Sequence, residues 1–313
     1  MKTIRERVAY FNGKMLPESQ VLVPFRDRGF LYGDAVFDMT RTFGHRIFKL
    51  DEHVERFYRS LKYTQIDPGL SPHEMKTITE QVLEKNLKLL DISDDYWVAQ
   101  RVSRGPSNIA SNFSSKGSHP TVIVECSLLP LKQRAKLYRD GIDVVTPSIR
   151  RVPPESISPR VKSHNYLNLI IGNLETSATN PEAWAVLLDI NGNLAEGMGS
   201  NLFTVEKNIL YTPREQYVLG GISRRTVIEL AQPLGINVIE KDLDLFDVYN
   251  ADEVFLTSTS LCVCAVRSVN GVKINSHPVP GPITQRLINA YTKLVDYDFV
   301  AQYLNHLENT DRS

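Results

Sequence analysis

The stretch SLLPLKQRAK, residues 127–136, divides the chain by pattern: hairpin-forming runs precede it, and strands alternating with helices follow it. Upstream, RVAYFNGKMLP (7–17) sets Asn12-Gly13 between two apolar runs, the signature of a two-residue turn with left-handed backbone. FLYGDAVFDMTRTFGHRIFKL (30–50) predicts a second hairpin turning at Gly44-His45. LDEHVERFYRSL (50–61) carries Val54, Phe57, Tyr58 and Leu61 at helical spacing behind an acidic first turn, and a further helix fits 71–90 behind Ser71-Pro72. YWVAQRVSRG (96–105) and PTVIVECSLL (120–129) read as strands around the Ser/Asn/Gly-rich stretch 105–119, which is either a lid or an ordinary surface loop.

Downstream, IDVVTP (142–147), AWAVLLDI (183–190), NLFTV (201–205), INVIEKDL (236–243) and 252–271 are strand-like, while helices fit 165–178, 223–233 and 281–297. The expected fold is mixed α+β in two domains: a small N-terminal α+β domain over 1–128, a linker over 129–138 and a larger C-terminal domain over 139–313. Mixed strand connections argue against one doubly wound sheet. Two domains imply a cleft, the default place for a small-molecule site.

Composition narrows the partners. Thirty-six Lys and Arg balance 36 Asp and Glu, so nothing marks a nucleic-acid or anionic-membrane surface. No stretch approaches the ~18 apolar residues of a membrane span, and the N-terminus carries no secretory core. A soluble, cytoplasmic protein is expected. Cys126, Cys262 and Cys264 are too few for a disulfide framework and read as reduced and packed. No Walker or dinucleotide loop occurs, and the seven histidines show no metal-ligand spacing, so no catalytic metal is expected.

What remains is RVKSHNYLNLIIGNLE (160–175). Lys162 follows a Pro-rich extended run and precedes a helix whose Leu167, Ile170, Ile171 and Leu174 form an apolar stripe. The lysine is either a solvated surface group or an amine aimed into a cleft, where burial lowers its pKa and frees it for Schiff-base chemistry. Glu196, after the Asn191-Gly192 turn, is either a turn carboxylate or the acceptor of a protonated ring nitrogen. Gly220-Gly221 with Ser223 as N-cap opens a helix whose N–H groups suit an anion, and Thr257, Ser258, Thr259 and Ser260 add hydroxyls. Arg56, three residues after His53 on one helix face, is a further anion partner.

These segments together resemble the class IV, fold-type IV aminotransferases that use pyridoxal 5′-phosphate. The markers fall in that family's order over nearly the whole chain: DRGFLYGDAVFD (27–38), LDEHVERF (50–57), VKSHNYLN (161–168), LAEGMGSNLF (194–203), LGGISR (219–224), FLTSTS (255–260) and VRSVNGVKI with PGPIT (266–284). The resemblance implies a two-domain fold with a barrel-like C-terminal domain and a ping-pong amino transfer. It makes Lys162 the catalytic Schiff-base lysine, Glu196 the partner of the pyridine nitrogen, and Tyr166 the partner of the cofactor's phenolic oxygen, with Asn165 as the alternative. It assigns Arg56, Ile222, Ser223, Thr259 and Ser260 to the phosphate and Leu219 to the ring face. It also implies homodimers or dimer multiples, an amino donor and a keto acid acceptor.

Substrate choice is less uniform. VFDMTRTF (36–43) stands where branched-chain enzymes read VFEGIR, PSNIAS (106–111) replaces the D-amino acid carboxylate clamp, and Ala99 occupies the branched-chain arginine position. Arg101, two residues along, and Arg41 are the candidates for the substrate carboxylate. Phe37 and Trp97, with Phe30, Phe43 and Cys262, suggest an apolar pocket and hence a hydrophobic donor, a branched-chain L-amino acid ahead of (R)-amines, D-amino acids or a lyase substrate.

Overall fold

The computed structural model describes residues 6–106, 119–274 and 279–308. They group into two compact units, one built from the chain up to Leu129 together with Val161–Asn165, the other from Pro130–Arg160 and the chain from Tyr166 on. The mixed α/β class and the two sheets agree with the sequence reading. The span expected as a linker, 129–138, is instead largely helix: α4 (Leu131–Asp140) buries Leu131 and Ala135. The lysine segment leaves the larger unit because its backbone pairs with a strand of the smaller one.

The first unit is a six-stranded sheet in the order β2-β1-β6-β5-β3-β4. Its strands are β1 (Val8–Phe11), β2 (Lys14–Pro17), β3 (Ala35–Phe43), β4 (Arg46–Ile47), β5 (Tyr96–Ser103) and β6 (Thr121–Leu128), and every pairing is antiparallel. Both predicted hairpins form. Asn12 and Gly13 sit at φ 44° and 88°, the left-handed values that match the twist of the flanking strands. A short helix, α1 (Arg28–Tyr32), precedes β3. Helices α2 (Leu50–Thr64) and α3 (Pro72–Leu87) cover the sheet. The buried face of α2 is Leu50, His53, Val54, Phe57, Ser60 and Leu61, the helical stripe read from sequence with two polar residues inside it. At the start of α3, Ser71 Oγ accepts from Glu74 N while Glu74 accepts from Ser71 N, a reciprocal cap.

The second unit is a nine-stranded mixed sheet in the order β12-β11-β10-β13-β14-β7-β8, with β15 on β14 and β9 on β10. Its strands are β7 (Ile142–Val145), β8 (Trp184–Ala185), β9 (Glu196–Gly197), β10 (Ser200–Glu206), β11 (Ile209–Thr212), β12 (Asn237–Glu240), β13 (Glu253–Ser258), β14 (Cys262–Val269) and β15 (Val272–Lys273). The run 252–271 is therefore a hairpin rather than one strand. AWAVLLDI keeps only β8 as strand, with Leu188 in isolated bridges to Arg150 and Leu194. Helices α5 (Leu167–Thr179), α6 (Ile222–Ala231), α7 (Leu245–Tyr249), α8 (Pro282–Val295) and α9 (Phe299–Glu308) complete it.

The apolar stripe of α5 points outward. Leu167, Ile170, Ile171 and Leu174 are exposed, while Leu169, Gly172 and Thr176 are buried. The helix docks through its small-residue face: a Cβ on Gly172 would stand 2.8 Å from Leu187 Cδ1, so the bare Cα permits the approach. No helix among the described residues is long and apolar enough to cross a membrane. The three cysteines are buried and free.

Candidate active site

In the first unit the lysine is placed by backbone, not by its own side chain. Phe37 N donates to Lys162 O (2.9 Å) and His164 N donates to Ala35 O (2.9 Å), an antiparallel ladder along the edge of β3. Lys162 N donates in addition to Ser60 Oγ of α2 (3.2 Å). Thus Lys162 Nζ comes to rest 4.4 Å from the centre of the Phe37 ring. Asn165, the alternative to Tyr166, spends its side-chain amide on Gly33 O (3.1 Å). Tyr166 belongs to the second unit, directly before α5, packed against Leu169, Ala185 and Leu187.

Alternation along β3 sends Asp38 to the side opposite Phe37, toward α2. There Arg56 grips it with two hydrogen bonds, Nε to Oδ2 (2.8 Å) and Nη2 to Oδ1 (2.7 Å), and His53 Nδ1 meets Oδ1 at 2.7 Å. Burial works to raise the Asp38 carboxyl, but the Arg56 charge and then His53 outweigh it and hold it well below the usual carboxylate range. Burial likewise lowers His53 against the pull of Asp38. The sequence reading gave Asp38 no place in the site; the signal was the His53–Arg56 pair on the buried face of α2, which needs an acid across from it.

The Phe37 side of the sheet carries Arg101, its register partner on β5. The Arg101 guanidinium lies 5.3 Å from the Phe37 ring centre, and its Nε and Nη2 both donate to Glu125 Oε1 at 3.0 Å. His164 meets the same ring edge-on at 5.2 Å.

Arg41 is not with them. It is 1 % exposed, donates to Thr42 O (2.8 Å), pairs with Asp95 (3.6 Å) and lies over Phe43. A substrate carboxylate cannot reach a guanidinium sealed in this way. Trp97 is the register partner of Arg41, about 13 Å along the strand from Phe37 at roughly 3.3 Å per residue, and so stands away from Lys162 as well. Phe30 is exposed, and Phe43, six residues along β3 from Phe37, packs edge-on against Phe48. The lid reading of 105–119 falls mainly on residues outside those described.

In the second unit Glu196, 5 % exposed, is held at both oxygens: Oε1 accepts from Arg151 Nε (3.0 Å) and Oε2 from Leu219 N (2.9 Å). Asn201, the register partner of Glu196 across β9 and β10, donates to Leu219 O (3.0 Å) and fixes the approach to α6. Arg151, 45 residues away from Glu196 in sequence, gave no readable signal. The N-cap of α6 is Gly221 rather than Ser223, and it has no side-chain cap. A Cβ there would stand 2.2 Å from Asn201 Oδ1, so a capping side chain has no room. Ile222 and Ser223 form the first turn. Ser223 Oγ donates to Ser258 O (2.9 Å), tying that turn to the end of β13. Ser258 Oγ meets Ser260 Oγ at 3.3 Å, Arg134 donates to Ser260 Oγ, and Thr259 is half-buried beside them. Thr257 Oγ1 and Ser200 Oγ are buried with no hydrogen-bond partner among the described residues.

In the first unit a primary amine is fixed by backbone, a group capable of Schiff-base chemistry; in the second, a buried, doubly held carboxylate and a helix start without a side-chain cap are groups of the kind that suit a basic ring and an anion. The family model for amino-transferase class IV matches residues 35–269. The chain belongs to the class IV aminotransferases. A Methanocaldococcus jannaschii protein named as a branched-chain-amino-acid aminotransferase is 37% identical over 279 residues, 89% of this chain and 93% of the relative. A D-alanine aminotransferase of Bacillus licheniformis is 30% identical over 281 residues, 90% and 94% of the two chains. Among solved structures, the Escherichia coli branched-chain amino acid aminotransferase superposes with TM-score 0.86 at 29% identity, over 93% of this chain and 95% of the other. The T.th. branched-chain enzyme, complexed with N-(5′-phosphopyridoxyl)-L-glutamate, gives 0.83 at 27% identity, with the same coverage of 93% and 95%. This class IV aminotransferase is a transaminase that uses pyridoxal 5′-phosphate and acts on amino acids and keto acids. The residues present fit that cofactor, since the uncapped start of α6 and the orphaned hydroxyls of Ser200 and Thr257 are donors awaiting an acceptor.

Proposed function

We propose that this transaminase takes a hydrophobic amino donor, a branched-chain L-amino acid first among them, and passes its amino group to a 2-keto acid, with Lys162 and Glu196 serving one pyridoxal phosphate. The observation that carries the reading is Lys162 Nζ held 4.4 Å over Phe37, an amine beside an apolar ring. Resemblance to proteins named as branched-chain enzymes supports the donor class.

Bound pyridoxal phosphate supplies an electron sink for the pair left when the substrate Cα–H breaks. Lys162 Nζ would hold and move the proton taken from substrate Cα. Glu196, oriented by Arg151 and Leu219 N, would keep a pyridine nitrogen protonated, with Leu219 as the proposed ring-face residue and Tyr166 as the proposed donor to the phenolic oxygen. Arg56, braced by Asp38, would bind phosphate, as would the N–H groups of Ile222 and Ser223 and the hydroxyls of Thr259 and Ser260. The working protein is a cytoplasmic homodimer or dimer multiple, and light scattering tests the assembly.

The test is the visible spectrum of cofactor-loaded protein with L-leucine, D-alanine and (R)-1-phenylethylamine in turn. L-Leucine is expected to discharge the visible band and 2-oxoglutarate to restore it. Discharge by D-alanine or the amine alone moves the donor class, and a protein that takes up no pyridoxal phosphate overturns the reading.

A further inference from the structure

The turn between β13 and β14, Thr259-Ser260-Leu261, carries two of the hydroxyl groups proposed for the phosphate, and three side chains from α4 and α9 close on it. Arg134 of α4 donates to Ser260 Oγ, and the hydroxyl of Tyr138, one helical turn further along α4, donates to Leu261 O. Tyr303 of α9 donates to Ser260 O (2.8 Å). The Tyr138 and Tyr303 rings stack with their centres 4.6 Å apart, so their hydroxyls reach two consecutive carbonyls of the turn. The Arg134 guanidinium lies 5.3 Å from the Trp184 ring centre. All of these residues belong to the second unit.

A peptide carbonyl presents partial negative charge to an anion, whereas an N–H or O–H presents positive. In a planar trans peptide the N–H lies opposite the C=O, so fixing Ser260 O and Leu261 O on the tyrosines turns the N–H groups of Leu261 and Cys262 away from them. Leu261 N accordingly meets Ser258 Oγ at 3.0 Å. The tyrosines thus withdraw the carbonyls of the turn. Arg134 acts on its hydroxyl: a guanidinium donating into the Ser260 oxygen polarises that group and makes its own proton the stronger donor.

We propose that Arg134, Tyr138 and Tyr303 are positioning residues for the cofactor phosphate, holding the β13–β14 turn with its carbonyls withdrawn and Ser260 polarised before the anion arrives. They act through the turn, which is set in advance and so loses little freedom when the phosphate binds. The inference rests on the assignment of Thr259 and Ser260 to the phosphate.

The test is fluorescence titration of the cofactor-free full chain with pyridoxamine 5′-phosphate and, separately, with pyridoxamine. The two ligands differ only in the phosphate, and neither carries the aldehyde that a Schiff base with Lys162 requires. Tyr138→Phe and Tyr303→Phe keep both rings and remove one hydroxyl each. Affinity for pyridoxamine 5′-phosphate is expected to fall about three- to tenfold in either variant and roughly ten- to thirtyfold in Arg134→Met, with pyridoxamine affinity unchanged. Arg134→Lys, which keeps the cation, should recover most of the loss. Equal losses for the two ligands mark a general loss of structure and overturn the proposal, as does wild-type affinity for the phosphate form in Arg134→Met and both Tyr→Phe variants. A wild-type chain that binds both ligands equally would overturn the phosphate assignment itself, and the proposal with it.

Discussion

Arg151 donates its Nε–H to Oε1 of Glu196 across 3.0 Å, and the carboxylate it holds is 5 % exposed. Leu219 N takes the other oxygen. Truncating the arginine leaves a buried acid with one of these two partners, a loss of about 1–3 kcal/mol. Arg151→Met is expected to lower Tm by several degrees and to slow the amino-transfer half-reaction at least about tenfold. Glu196→Gln should slow that step comparably. Stopped-flow loss of the visible band reads both, and rates equal to wild type would remove the pair from the site.

Asp38 carries Arg56 and His53 from inside the sheet. Asp38→Asn removes a carboxylate that accepts two hydrogen bonds from Arg56, and the expected cost is about 3–5 kcal/mol because a cation is left without its buried partner. Urea unfolding measures it. Phosphate retention in folded protein should weaken with it, since Arg56 loses its brace.

Acid sensitivity should begin at the histidines. Burial, helped by the charges of Arg101 and Lys162 and opposed by Asp27, lowers His164 from 6.5 to about 4. The unfolded chain therefore binds the extra proton first. The contribution of His164 to stability is complete above pH 6.5 and is lost as the pH falls toward 4, at up to about 1.4 kcal/mol per pH unit. His53, also lowered by burial, acts in the same direction. Urea midpoints between pH 7 and 4 should fall in wild type and fall less in His164→Leu; parallel curves would refute this.

Arg41 tests stability apart from the site. Arg41→Met removes the charge partner of Asp95 but leaves the hydrogen bonds from Thr42 Oγ1, Gly44 N and His45 N, so it should cost about 1–3 kcal/mol while the folded fraction keeps the wild-type KM for the amino donor. A raised KM would bring Arg41 back into the site.

Gly221 tests the geometry at α6. Its φ of −63° suits any residue, so only the 2.2 Å approach of Asn201 Oδ1 forbids a side chain. Gly221→Ala should push Asn201 off Leu219 O and lower cofactor affinity roughly tenfold, read by fluorescence titration of the cofactor-free protein.

Much of this was legible in residues alone. Turn chemistry at Asn12-Gly13 and Gly44-His45, the cap at Ser71 and the buried stripe of α2 are local, so each follows from neighbours in sequence. The ordered motifs carried the family, and the roles proposed for Lys162 and Glu196 rest on the same motifs. What the chain could not declare were relations set by pairing and packing. The stripe of α5 reads as buried by periodicity, yet the helix docks through Leu169, Gly172 and Thr176, with Gly172 close against Leu187. Arg41 and Arg101 look alike in sequence on facing strands. Register and packing pair the first with Asp95 and set the second beside Phe37, and burial seals the first inside the sheet. Arg151 reaches Glu196 over 45 residues, and His164 gains its meaning only from the strand edge that turns it toward Phe37. Sequence determined the chemistry available to this protein, since covalent groups and local turns travel with the residues. Tertiary structure decided which of those groups face one another, since that depends on the free energy of burying and pairing distant parts of the chain.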